Sequence, residues 1–349
     1  MISKNLSKFI IKDNKTIKNA IYKINKYGKK ILFVVDKKDL IVGSLSDGDI
    51  RQALLKGFPL SDKISIAMNK KFFFLKDKKY LNKHLDRLKK NNITHVPVCG
   101  NKKIKGIIDL SSSIDMQKFD IPFVILAGGK GQRMMPLTKN LPKPLLKVNN
   151  KPVLEHIIIN AKKQGFENFI ISVGYLGDKI KKYFQNGLKL GVNIKYITEK
   201  KALGTAGALG FLKLNVSKFV VTNGDILTGI NYKNLISFHN ENNSFATMAI
   251  RRKLNNETFG VVETNGRKFL SIKEKPVITY SINTGIYILS SKILKFVKKN
   301  QKIEMTDLFN TIKKKYKKKL LVFPVYENWF DLANSKDLYD ANKYFDKFS

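Results

Sequence analysis

Between residues 16 and 110 the chain runs twice through one order of apolar and polar positions. Apolar residues recur at three- and four-residue spacing over Thr16–Tyr27 and again over Tyr80–Asn91, the period of a helix with one buried stripe. After each comes an apolar run, a short polar turn and a second run entered through glycine. The copies read FVVDKKDLIVGSLSD within Ile31–Asp47 and HVPVCGNKKIKGIID within Ile93–Leu110. The pattern predicts two like α+β units that pack together.

The pattern changes at residue 123. Phe123–Leu126 is a short apolar run between Pro122 and a glycine pair, as expected of a buried strand feeding a loop. Pro152 can open a helix whose apolar stripe is Val153, Leu154, Ile157, Ile158 and Ala161, ended by Gly165. Strand Phe169–Val173, helix Asp178–Phe184 and strand Val192–Ile197 follow, with further strands at Phe219–Val221 and Leu320–Val325. Strands alternating with helices predict an α/β fold with a doubly wound, mostly parallel sheet, which holds ligands at the carboxyl ends of its strands. The polar stretch Ile114–Pro122 reads as the linker, giving domains 1–118 and 119–349.

Composition changes this picture little. The 349 residues suffice for two or three cores, and the net charge of +39 is carried by lysines spread over every segment. Runs such as Lys313–Lys315 and Lys317–Lys319 fall in a helical pattern and read as a solvated face, so no nucleic-acid partner is expected. One cysteine, Cys99, excludes an internal disulfide, and four scattered histidines offer no zinc spacing. With no signal-peptide core and no apolar run of membrane-spanning length, a cytoplasmic protein without a membrane partner is expected.

The candidate chemistry centres on FVILAGGKGQRMMPLTKNLPKP, residues 123–144. Gly128, Gly129 and Gly131 remove side chains where backbone N–H groups could approach an anion, and Arg133 and Lys143 add two cations to the same connection. It is not a P-loop, because no lysine and hydroxyl residue follow Gly131, and Met134 stands where a dinucleotide fingerprint needs glycine. The order Leu126-Ala127-Gly128-Gly129-Lys130-Gly131-Gln132-Arg133, Pro136-Leu137-Thr138, Pro142-Lys143-Pro144 resembles the signature of the sugar-1-phosphate nucleotidyltransferases.

That resemblance implies roles for further residues. Glu199 with Gly204, Thr205 and Ala206 would border base and ribose, and the Gly-Thr-Ala-Gly form is similar to the mannose-1-phosphate guanylyltransferase branch, which favours GTP. Asp225 and Asp331 would hold Mg²⁺, although Leu332-Ala333-Asn334 replaces the family's usual residues after the second carboxylate. Lys275 would pair with the sugar 1-phosphate, with Gly260, Glu274, Asn283 and Thr284 beside the sugar. Uridylyl-transferring relatives share most of these motifs, and a non-catalytic subunit of the same fold is the competing reading.

The first hundred residues resemble a tandem pair of CBS domains, which bind adenosine nucleotides and often associate about a two-fold axis, so a homo-oligomer is expected. By that resemblance Ser46 and Asp49 would hold a ribose and Arg51 a phosphate. Asp109 and Ser112 depart from the motif in the second copy. In the bland reading, Asp47 and Asp49 simply cap a helix. A CBS pair ahead of a guanylyltransferase-like domain is similar to the glucosamine-1-phosphate guanylyltransferases of legionaminic-acid biosynthesis.

Overall fold

The computed structural model describes residues 2–3, 5–90, 93–110, 118–315 and 320–346. The last residue of the second predicted helix (Asn91), residues 114–117 of the predicted linker, Ser112 and Lys317–Lys319 lie outside the described residues. The chain divides into two compact units, Met1–Gln117 and Lys118–Ser349.

In the first unit, the helix Ile17–Tyr27 begins where Thr16 and Asn19 bond reciprocally, Thr16 Oγ1 accepting from the Asn19 amide at 3.2 Å. It ends at Gly28, whose φ of 59° suits glycine. Strands Ile31–Val35 and Ile41–Ser46 form an antiparallel hairpin, as do His95–Gly100 and Lys103–Asp109. Both hairpins slip register at the same place, between Val34 and Val35 and between Val98 and Cys99. Phe9, which precedes the first copy, and Phe33 and Ile41 within it share one core with Cys99 and Ile107 from the second. The second predicted helix is observed as Leu81–Lys90.

The second unit is built on a seven-stranded sheet of β1 (Phe123–Ala127), β2 (Asn168–Val173), β3 (Asn193–Thr198), β4 (Lys218–Asn223), β5 (Ala246–Asn256), β6 (Val277–Ser290) and β7 (Leu320–Pro324), in spatial order 3-2-1-4-6-5-7. β3, β2, β1 and β4 run parallel, β6 is antiparallel to β4 and β5, and β7 is parallel to β5. The sheet is buried on both faces. Phe123, Ile125 and Ala127 point into one core with the helix Val153–Lys163, while Val124 and Leu126 face another with the helix Met305–Lys315. This two-sided burial explains why β1 reads as a continuous apolar run.

β5 and β6 continue past the sheet as a two-stranded ribbon, and Val261–Asn265 and Lys268–Lys273 pair as a separate hairpin. Large apolar side chains stand exposed along this arm, among them Leu254 at 69%, Phe259 at 78% and Phe269 at 64%. Among the described residues no helix is long and apolar enough to cross a membrane.

Candidate active site

Strand order reverses between β1 and β4, the switch point at which doubly wound sheets open a crevice. A cavity of about 540 Å³ lies there, lined by the loops that leave the carboxyl ends of both strands. Leu126, Ala127, Gly128, Gly129, Gly131, Arg133, Lys143, Glu199, Gly204, Thr205, Asp225 and Asp331 all reach it.

The glycine loop is shaped by close approach. A Cβ on Gly128 would stand 2.4 Å from Glu199 Oε1, and one on Gly131, at φ 63°, would meet Lys143 Cβ and Thr138 Cγ2 at 3.1 Å. Wholly buried Thr138 donates to the Gly131 carbonyl at 2.9 Å, and Gly224 N–H donates to the Leu126 carbonyl at 2.8 Å, tying the two switch-point loops together. Glu199 Oε1 accepts from Ser172 Oγ at 2.6 Å, which fixes the carboxylate beside Gly128.

Strand Ile226–Thr228 pairs antiparallel with Trp329–Asp331, placing Asp225 at the edge of that pairing next to Asp331. The Leu332 amide closes the junction by donating to the Asp225 carbonyl at 3.2 Å. Lys143 forms an ion pair with Asp225, the two side chains being 14% and 27% exposed. Burial pushes the Asp331 carboxyl above the ordinary carboxylate value. The neighbouring Asp225 charge pushes the same way, while Lys143 and Arg133 oppose it.

The cavity wall carries four carboxylates, Glu199, Asp225, Glu304 and Asp331, against three cations, Lys130, Arg133 and Lys143. A triphosphate entering it therefore needs further positive charge. Among the described residues no group of three or more His, Cys, Asp or Glu side chains is arranged for a metal. Two adjacent, partly desolvated carboxylates with oxygen donors only are a fit for Mg²⁺, which takes one or two carboxylates and completes its shell with water and substrate phosphate.

Other expected residues lie elsewhere. Ala206 is wholly buried, and its amide donates to the Ile303 carbonyl at 3.0 Å. Thr284 is also wholly buried, with its hydroxyl donating to the Ala249 carbonyl at 2.8 Å and its carbonyl accepting from Trp329 Nε1. Asn283 donates to the Tyr287 hydroxyl at 2.6 Å from within β6. Gly260, Glu274 and Lys275 sit on the exposed arm, with Glu274 Oε2 2.9 Å from where a Gly260 Cβ would lie. None of these six lines the cavity.

In the first unit the motif residues are joined to one another around the start of a helix. Ser46 and Asp49 form a reciprocal cap on the helix Asp47–Leu55: Asp49 Oδ2 accepts from the Ser46 amide at 2.7 Å and from its hydroxyl at 2.6 Å. Arg51, 4% exposed, donates through Nε to Asp47 Oδ2 at 2.8 Å and through a second nitrogen to Oδ1 at 3.1 Å. Arg51 is thus held by Asp47 of its own helix. Asp49 lines a cavity of about 330 Å³ with Gln52, Lys56, Phe58 and Asn69.

Sequence reasoning missed Asn223 and Glu304 as cavity residues. Asn223 had a signal, since it ends an apolar strand beside Asp225. Glu304 had none, because nothing in the residues before the helix Met305–Lys315 announces that they fold back on Gly204.

A nucleotide-sized cavity at the switch point, walled by a glycine loop, paired carboxylates and separate cations, defines a phosphate-handling α/β protein. The chain belongs to the nucleotidyl transferase family, whose profile matches residues 123–347, and the CBS domain profile matches residues 5–56. It is 33% identical over 208 residues to a UTP–glucose-1-phosphate uridylyltransferase of Synechocystis sp., covering 53% of each chain. It is 32% identical over 219 residues to the D-glycero-alpha-D-manno-heptose 1-phosphate guanylyltransferase of Campylobacter jejuni, covering 62% of this chain and 96% of that one. The chain spans about half the length of the first of these and of a mycobacterial mannose-1-phosphate guanylyltransferase. HddC from Yersinia pseudotuberculosis, solved in complex with GMP-PN, overlays with a TM-score of 0.50 at 25% identity, over 64% of this chain and 99% of that one.

Proposed function

We propose that the protein transfers a nucleoside monophosphate from a nucleoside triphosphate to a sugar 1-phosphate, releasing pyrophosphate, with GTP as the favoured donor. The observation that carries this reading is the convergence of Arg133, Lys143, Asp225 and Asp331 on one cavity from separate stretches of chain. An oxygen of the sugar 1-phosphate attacks the α-phosphorus. A new P–O bond forms as the bond to pyrophosphate breaks, and the electron pair leaves with the pyrophosphate.

The attacking phosphate is already an anion at neutral pH, so the site needs no base. Its task is alignment and charge compensation. Arg133 holds the triphosphate, and the amides of the glycine loop face its oxygens. Lys143, fixed by Asp225, meets the phosphates at the reacting centre, and Lys275 on the arm pairs with the sugar phosphate. We assign Mg²⁺ to Asp225 and Asp331; when bound it supplies positive charge against phosphate oxygens.

The preference for GTP rests on Glu199. A fixed carboxylate offers only acceptors, and the guanine edge presents two adjacent donors, N1–H and the N2 amino group, whereas uracil presents one donor between two acceptors. The guanine nucleotide bound in HddC and the guanylyltransferase among the relatives support the same choice. In the first unit we assign an adenine nucleotide to the cavity beside Asp49, with a regulatory effect on turnover.

Pyrophosphate release across four nucleoside triphosphates and a panel of mannose, glucose, glucosamine, N-acetylglucosamine and heptose 1-phosphates tests the reading. Release with GTP and one sugar is expected. Release confined to UTP overturns the assignment of the base, and silence in folded protein that still binds nucleotide replaces the enzyme with a regulatory subunit of this fold.

A further inference from the structure

Glu304 stands immediately before the helix Met305–Lys315, lines the cavity and forms no ion pair among the described residues. Its Oε2 accepts from the Thr205 amide at 3.0 Å and from the Thr205 hydroxyl at 2.9 Å, and that hydroxyl accepts in turn from the Met305 amide at 2.8 Å. The backbone repeats the join. The Ile303 amide donates to the Leu203 carbonyl at 2.9 Å, and the Ala206 amide donates to the Ile303 carbonyl at 3.0 Å. Gly204, at φ 75°, lets the two segments touch, since a Cβ there would lie 2.6 Å from the Ile303 carbonyl oxygen.

These bonds use Oε2 and leave Oε1 without a hydrogen-bond partner among the described residues. Oε1 lies 2.7 Å from where a Cβ on Gly204 would be, and Gly204 and Glu304 both line the cavity. A carboxylate oxygen next to a polyanion is repulsive, so the part of the ligand it faces is not the triphosphate. The nucleoside carries hydrogen-bond donors and is the part expected beside Gly204 and Thr205. We propose that Glu304 is a nucleoside-recognition residue: Oε2 sets the Leu203–Ala206 loop, and Oε1 accepts from a ribose hydroxyl or from the exocyclic amino group of the base. This rests on the nucleotide half of the proposed function and adds a residue to it.

The test compares wild type, Glu304→Gln and Thr205→Val in the full chain with GTP, 2′-deoxy-GTP, 3′-deoxy-GTP and ITP. The Gln oxygen keeps the bonds from Thr205, but its NH₂ replaces an acceptor with a donor. KM for GTP in Glu304→Gln is therefore expected to rise about tenfold or more, with kcat, the sugar-phosphate KM and the melting temperature nearly unchanged. Thr205→Val, which loosens the loop, should lower the melting temperature as well. The analogue that wild type already binds poorly, and that Glu304→Gln binds no worse, names the donor: a deoxy sugar for a ribose hydroxyl, ITP for the amino group. An unchanged KM for GTP in Glu304→Gln overturns the proposal, as does a rise equal across all four nucleotides. Calorimetric Kd values decide it by the same ratios if GTP binds without pyrophosphate release, an outcome that sinks the transferase reading alone.

Discussion

Replacing Lys143 by methionine keeps most of the stem that packs near Gly131 and removes the charge. Two effects are separable. In turnover, a fixed charge at the reacting phosphates is worth about 3–4 kcal/mol when lost, so kcat should fall by about 10²–10³. In stability, Asp225 loses its partner while Asp331 remains beside it, both only partly solvated. A unit-charge attraction at contact is about 4 kcal/mol in an environment of intermediate polarity, and part returns through solvation, leaving a cost of about 1–3 kcal/mol. The melting temperature should drop by a few degrees. Adding Asp225→Asn removes the stranded charge and should restore most of that stability while turnover stays low. Pyrophosphate release at saturating substrate and thermal melting of the two variants measure both effects. A single variant with kcat within tenfold of wild type, or a double variant as unstable as the single one, would refute the reasoning.

Asp331→Asn should raise the melting temperature at neutral pH without added metal and abolish turnover. The folded-state pKa of Asp331 is raised, so its ionised form opposes folding above that pKa; the advantage of the variant should fade as pH falls and Asp331 takes up its proton. His239 is buried against Thr247, and burial holds its pKa down to about 4 from 6.5. Its neutral form favours folding, a contribution complete above pH 6.5 and lost between pH 6.5 and 4, up to about 3 kcal/mol; His239→Gln should flatten the acid limb of a denaturation series by that amount. Gly285→Ala places a Cβ at φ 74° and 2.6 Å from Asn223 Nδ2, and should cost about 1–3 kcal/mol with a loss of turnover through displaced Asn223.

Much of the cavity wall was legible because its residues are short-range: Gly128 to Lys143 form one connection, and strand ends carry Asp225 and Asp331. β1, β2 and β4 were legible too, since burial on both faces leaves apolar runs. β5 and β6 were not foreseen. They alternate, bulge between Met248 and Ile250, and run from a buried sheet into an exposed arm, so no single period describes them. Thr284 was expected beside the sugar, yet it lies inside β6, where the Ala249 carbonyl takes its hydroxyl. Ser46, Asp49 and Arg51 match a ligand motif by spacing, and that spacing also makes a helix cap and an i,i+4 ion pair. Glu304 was hidden because its importance comes from Thr205, ninety-nine positions away.

The 2.4 Å approach between a would-be Gly128 side chain and Glu199 makes these two positions a single unit of substitution. Shortening residue 199 opens space at 128 and frees the glycine loop, while any side chain placed at 128 displaces the carboxylate; under the proposed roles, base preference and phosphate grip change together. The two positions are mechanically joined through one missing methyl group, so a lineage or an engineer changing one must change the other in the same step.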